Sequence, residues 1–245
     1  MEMLSQGNVA KLYCLNWLDQ YAAAKPDAVL LDMGCGEALN FVKLLQKYPK
    51  LRYIGIEPSQ EECERARRNT AGLNATIING YAYDMLGHSV QEPVDVVISF
   101  SVFEHVYRRL EYLQAAQACM KPDGYFLINY DAGHFVQPAS LRERVKNILG
   151  PVIAKLGNEG YYQAFVREQD FLTWVKQAGL KIFEARSFNT RLKGIYKLIP
   201  QEQRAEYMQH WYDFELWLSS LNLPYDDRRA NTWFTRNYIL TRADM

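Results

Sequence analysis

Short apolar runs alternate with stretches of helical period along the 245-residue chain. Val29-Leu30-Leu31, Leu51–Ile56, Ala75–Asn79, Val94–Phe100 and Tyr125–Tyr130 read as strands. The fourth run is nearly all apolar, which predicts a strand covered on both faces. Between them lie helical patterns. Residues 4–24 carry Val9, Leu12, Tyr13, Trp17 and Leu18 at helical spacing, and Pro26-Asp27 stops that helix. Phe41, Leu44 and Leu45 share a helical face. Ser59 opens a charged helix to Asn69, with Glu61 and Glu62 in its first turn and Arg65, Arg67 and Arg68 near its end, as capping and the helix dipole favour. A helix is expected from the Ser101–Val106 stretch to Met120, ended by Lys121-Pro122-Asp123-Gly124. Such alternation predicts an α/β, doubly wound parallel sheet with ligands at the strand C-termini. Asp32, Glu57, Asp84, Ser99 and Tyr130 fall at those ends.

The simple alternation lapses over residues 131–166. Leu141–Leu149 reads as an amphipathic helix that Gly150-Pro151 should break, with Gly157 and Gly160 as a joint before Tyr161-Tyr162. Lying after the fifth strand, this insertion is expected to form a lid over the strand C-termini. A membrane-surface helix is the alternative, because Arg142, Arg144 and Lys146 sit beside apolar residues. Asp170 is read as the cap of a helix Phe171–Gln177 closed by Gly179, followed by a sixth strand Leu180–Arg186. A second insertion, 190–230, holds a long helix with Tyr207, Trp211, Phe214, Leu218 and Leu221 on one stripe, a core face or a substrate wall. Thr232–Leu240 is the last strand. The chain is expected to form a single domain, 1–245, with 131–166 and 190–230 as substrate-covering insertions.

An apolar content of 49% supports a real core. Lys plus Arg and Asp plus Glu both number 28, and this balance disfavours a nucleic-acid partner. Cys14, Cys35, Cys63 and Cys119 show no metal or disulfide spacing and read as reduced residues. No signal-peptide core and no transmembrane run is seen. The expected location is cytoplasmic, with peripheral membrane contact open and the oligomeric state unspecified.

The chemistry centres on Asp32-Met33-Gly34-Cys35-Gly36, where a strand ends in an acid and a glycine turn. Glycine lets the turn bend and lets a ligand approach the backbone. A dinucleotide fingerprint wants a third glycine, but Leu39 stands there. About twenty residues on, the second strand ends in Glu57, which can accept both hydroxyls of a ribose. Leu31–Gly36 followed by Ile54-Gly55-Ile56-Glu57-Pro58-Ser59 resembles motif I and its partner in class I S-adenosylmethionine-dependent methyltransferases. Phe103-Glu104-His105-Val106 and Lys121–Gly124 are similar to the family too.

The resemblance implies a Rossmann-like seven-stranded sheet with an antiparallel last strand, and S-adenosyl-L-methionine as cofactor. It implies that Gly34, Cys35 and Gly36 border the methionine portion, that Asp32 orients its amino group, and that Glu57 and Pro58 lie at the ribose. Ser99 and Phe100 would flank the methionyl chain, with Tyr81 and Ala82 at the adenine. Many members place an acid where Tyr81 stands, so either Tyr81 stacks on adenine or Asp84 takes the polar role. In the family an N-terminal helix often covers the active site; packing on the sheet edge is the other reading here.

Methyl transfer from a sulfonium needs positioning more than a covalent residue. An oxygen acceptor must also lose a proton, which suits a histidine. His105 and His134 are the candidates, each with a bracing role as its alternative. A magnesium set ending in Glu-His is incomplete, since Ser101 stands at its first position, and no metal is expected. The implied partner is a small-molecule acceptor: a phenol, a quinone precursor, or a glycosyl or lipid-linked intermediate. A silent cofactor-binding scaffold and a nicotinamide oxidoreductase are the rival functions.

Overall fold

A computed structural model describes residues 8–84, 90, 92–131, 141–156, 159, 162–189, 192–221 and 235–243. Seven strands form one sheet: β1 (Val29–Met33), β2 (Arg52–Glu57), β3 (Ala75–Asn79), β4 (Val94–Phe100), β5 (Met120–Asp131), β6 (Leu180–Phe188) and β7 (Thr235–Arg242). Their order is β3-β2-β1-β4-β5-β7-β6. The pairs from β3 to β5 are parallel, and β7 runs antiparallel to both β5 and β6. The seven-stranded, doubly wound sheet expected from the sequence is therefore present. The chain reverses its winding between β1 and β4, which opens a crevice at their C-terminal ends.

Side chains alternate along each strand, so neighbouring residues enter different cores. Leu30, Tyr53, Val96, Ile98 and Leu127 pack with α1 (Val9–Ala24), α2 (Val42–Lys47) and α3 (Gln60–Asn69) on one face. Leu31, Val97, Phe126 and Ile128 pack on the other face with Tyr112 and Leu113 of α4 (Arg109–Cys119). Phe171 and Val175 of α6 (Glu168–Gln177) complete that second core. All seven residues of β4 are buried, as its apolar run predicts. Ser59 caps α3 by accepting the Glu62 N–H.

Several boundaries differ from expectation. Phe103–His105 is a separate 3₁₀ turn, and α4 starts only at Arg109. Val106 is extended (ψ 122°) and the Tyr107 N–H donates to Oε2 of Glu159 (3.0 Å), so the backbone leaves the helical path there. The Arg109 guanidinium, in the first turn of α4, donates to the carbonyls of Ala164 (2.7 Å) and Phe165 (3.1 Å). β5 begins at Met120 rather than Tyr125; Met120 pairs with Val94, and an irregularity in register separates this from the rest of the strand. Helix α5 (Leu141–Lys155) continues through Gly150-Pro151. Glycine lacks the Cβ that a following proline ring would strike, so the helical conformation stays open to it. Along α5, Val145, Ile148, Leu149, Val152 and Leu156 just beyond it form an exposed apolar stripe.

Asp170 is not the cap of α6. It sits in the first turn and accepts the Arg167 Nε–H at 2.7 Å, while Gly179 closes the end at φ +69°. The short helix α7 spans Lys193–Tyr196, and α8 spans Arg204–Ser220. The expected stripe of α8 is displaced: Met208, Trp211, Glu215 and Ser219 are buried, whereas Phe214 and Leu221 are exposed. Glu215 occupies an inner position because its carboxylate accepts the Asn189 N–H (2.8 Å) and the Trp211 Nε1–H (3.2 Å). Residues 232–234, read as the start of the last strand, lie outside the described residues.

Candidate active site

After β1 the chain enters left-handed backbone at Gly34 (φ +104°), Gly36 (φ +52°) and Ala38 (φ +57°). The N–H groups of Gly34 and Cys35 both donate to the Ile56 carbonyl, at 2.8 and 3.1 Å, and pin this turn to the end of β2. A Cβ on Gly34 would lie 2.5 Å from Cγ2 of Val102. Glycine is thus required twice over, by conformation and by the neighbouring chain. The Gly36 N–H donates to Oε2 of Glu57 (3.0 Å), and the Ser59 N–H donates to Oε1 (3.0 Å). Each oxygen is oriented by one backbone donor and retains lone-pair capacity. Burial raises the pKa of Glu57, and these two hydrogen bonds oppose the rise.

Asp32 is buried inside the β1 end. The Tyr53 hydroxyl donates to its Oδ2 at 2.8 Å, while Oδ1 is buried with no hydrogen-bond partner. Burial pushes this carboxyl up to about 7, although the Tyr53 bond pulls it down. A buried, unsatisfied acceptor is costly. It points to a donor that arrives with a ligand.

Asp32, Gly34, Cys35, Gly36, Glu57, Pro58, Phe100 and His105 all border one cleft of about 790 Å³. Asn8, the cap of α1, Lys11 within it and Lys197 after α7 also line it. Helix α1 borders the cleft through Lys11 and packs on the sheet through Leu15 and Leu18. The Cys35 thiol is pushed up by burial, away from thiolate chemistry. An adjoining cavity of about 160 Å³ shares Gly34, Pro58, Val102 and His105 with the cleft. Met33, Ile56, Ala82 and Val106 give it apolar walls, and Tyr81, Tyr83 and Glu159 add polar ends. Tyr81 and Tyr83 stack at 5.7 Å, 10° from parallel.

Ser99 departs from its expected place. It is fully buried, receives the Tyr112 hydroxyl at 2.9 Å and borders neither cavity. Strand alternation turns it to the opposite face from Phe100. Tyr130 also lies in the core, against Phe103 and Phe171. Asp84 is ion-paired with Arg108 (3.0 Å) and does not border the apolar cavity. His134 lies outside the described residues.

His105 is exposed in its 3₁₀ turn, where both cavities meet, and its Nδ1 is 3.2 Å from the Tyr162 carbonyl. A proton on Nδ1 satisfies that carbonyl and fixes the tautomer of the neutral ring. Glu104 does not join His105 in a ligand set. It is buried, its Oε1 accepts the Asp131 N–H at 3.4 Å, and burial pushes its carboxyl up to about 7. Ser101, at the missing ligand position, has φ +58° and donates its N–H to the Asn129 carbonyl (2.8 Å). Among the described residues no group of three His, Cys, Asp or Glu could hold a metal.

A family model described as a methyltransferase domain matches residues 6–185. The chain belongs to this methyltransferase family. It is 24% identical over 177 residues to a ubiquinone biosynthesis O-methyltransferase of Leptothrix cholodnii, covering 70% of this chain and 72% of that one. It is 25% identical over 123 residues to cyclopropane mycolic acid synthase 1 of Mycobacterium tuberculosis, covering 49% of this chain and 41% of that protein. Among solved structures, the plantazolicin methyltransferase in complex with a triazolic desmethyl analogue and SAH superimposes with a TM-score of 0.60 at 13% identity. That match covers 98% of this chain and 86% of the other. The resemblance to class I enzymes is borne out, and S-adenosylmethionine is the methyl donor of this methyltransferase. The residues fit that donor: Asp32 offers a buried, unsatisfied acceptor, the turn requires Gly34, and Glu57 is oriented at the cleft.

Proposed function

We propose that this methyltransferase methylates a small molecule at oxygen, with His105 taking the acceptor proton. The carrying observation is the position of His105, exposed where the cleft meets the apolar cavity and oriented through Nδ1 by the Tyr162 carbonyl. The likeness to an O-methyltransferase supports the choice of oxygen. When bound, S-adenosylmethionine supplies a methyl group activated by the sulfonium charge. Asp32 would hold the amino group of the methionine portion, Gly34 and Gly36 would admit its chain, and Glu57 would accept the ribose hydroxyls. The 131–166 insertion would cover the bound reactants.

The rest of the barrier is lowered by positioning, which supplies roughly 7–11 kcal/mol when two reactants are held in line. His105 is left to remove one proton from a hydroxyl. His105→Gln keeps hydrogen-bonding capacity but cannot take a proton near neutral pH. Its turnover should fall by roughly 10²–10⁴-fold while affinity for S-adenosylhomocysteine stays at the wild-type level. It should also lose the rise in rate that accompanies histidine deprotonation. A variant with the wild-type rate and pH profile would make His105 a bracing residue only.

A further inference from the structure

The resemblance implies an acid for the adenine amino group where Tyr81 stands, and Asp84 is exposed, ion-paired and does not border the apolar cavity. A different carboxylate is there. Glu159, from the insertion after β5, is 7% exposed and borders the 160 Å³ cavity beside Tyr81 and Ala82. Its Oε2 accepts the Tyr107 N–H at 3.0 Å, and Arg108 Nε lies 3.8 Å from Oε1. Its own N–H donates to the Tyr81 hydroxyl at 3.3 Å, and its carbonyl accepts the Tyr162 N–H at 2.9 Å. These contacts fix the residue from both its backbone and its side chain.

The guanidinium of Arg108 lies 3.9 Å from the centre of the Tyr83 ring and also bonds Asp84 and Glu111, at 3.0 Å each. It offsets one of the three carboxylate charges, Asp84, Glu111 and Glu159, that surround it. The Tyr83 hydroxyl also bonds the Glu159 carboxylate. A carboxylate has about four acceptor positions, so Glu159 retains capacity toward the cavity after Tyr107, Tyr83 and Arg108 are counted. Met33, Ile56, Ala82 and Val106 are among the cavity's other walls, apolar surfaces suited to the faces of a flat heterocycle.

We propose that Glu159 supplies the carboxylate that accepts the adenine amino group, replacing the acid missing at Tyr81. This rests on the reading of the cleft as the S-adenosylmethionine site. It makes the insertion part of cofactor recognition as well as a cover for the acceptor. Since Tyr162 follows Glu159 closely and its carbonyl meets His105, adenine recognition and placement of the proton acceptor share one short segment.

The test is calorimetric titration with S-adenosylhomocysteine and S-inosylhomocysteine, which carries an oxo group in place of the amino group. Wild-type protein should prefer the adenine compound by about tenfold or more, the weight of one charge-assisted hydrogen bond. Glu159→Gln can donate to the oxo group and accept from the amino group, so its preference should shrink to within about threefold. Asp84→Asn should keep the wild-type preference. If the Gln variant melts abnormally, Glu159→Asp, with its carboxylate one methylene short, should narrow the preference too. Undiminished preference in the Glu159 variants, or its loss in Asp84→Asn, would overturn this assignment alone. Wild-type protein that binds neither compound would overturn the cofactor site as well.

Discussion

Asp32 joins a burial cost to a ligand requirement. In the ligand-free protein its carboxyl is held up at about 7 by burial, against an ordinary value of 3.8. The fold therefore favours the neutral acid, and that stabilisation is complete below about pH 4 and is lost as pH rises through about 7. An ammonium ligand needs the carboxylate. Affinity for S-adenosylhomocysteine should rise with pH through about 7 and level off above about 8, by up to tenfold per unit on the acid side. Asp32→Asn should bind more weakly and show no such rise. Calorimetry across this window measures both, and an equal pH dependence in the variant would remove Asp32 from the ligand contact. The meeting of Asp32, Gly34, Gly36 and Glu57 at one cleft was legible in the sequence because their places follow from strand ends and a turn only a few residues long. Ser99 was not, because the two-residue alternation of β4 sends it to the Tyr112 side. Glu159 was not, because its partners Tyr81 and Tyr107 are distant in sequence and meet it only through the fold.

The β1 turn is the element on which the cleft depends. Its backbone follows a left-handed path at Gly34, and Val102 from the segment after β4 fills the space where a Cβ would stand. Gly34→Ala should lower the melting temperature, since a strained non-glycine conformation costs on the order of 1–3 kcal/mol. It should weaken S-adenosylhomocysteine by about tenfold or more, the affinity equivalent of about 1.4 kcal/mol. Combining it with Val102→Ala should recover part of both losses, because the clash is with the valine methyls. Thermal melting and titration of the two variants check this; a single variant with wild-type stability and affinity would show that the turn tolerates a side chain. The strands were legible as elements because apolar runs covered on both faces need no long-range information. The helices near the site were less so. An extended Val106 and the Tyr107 N–H bonded to Glu159 break the helix expected after β4, Gly150 lets α5 pass through Pro151, and Glu215 shifts the buried stripe of α8.

At the scale of the molecule, strand order places the chemistry. The reversal between β1 and β4 opens the cleft, β2 beside β1 brings Glu57 to the glycine turn, and the turn after β4 brings His105 to the mouth. Between β5 and β7, the Asn129 side chain donates to Asn237, which in turn donates to the Ala10 carbonyl of α1 at 2.7 Å. This buried link ties the antiparallel strand to a helix whose cap Asn8 and whose Lys11 border the cleft. No helix among the described residues is long and apolar enough to cross a membrane. The reacting atom of the acceptor can be read from the methylated product. The direct measurement is incubation with isotopically methyl-labelled S-adenosylmethionine and a panel of phenols, amines and activated carbon acids, with the site of the label read by mass spectrometry. A labelled methyl ether of a phenolic acceptor is expected, and labelled products confined to nitrogen or carbon would contradict methylation at oxygen.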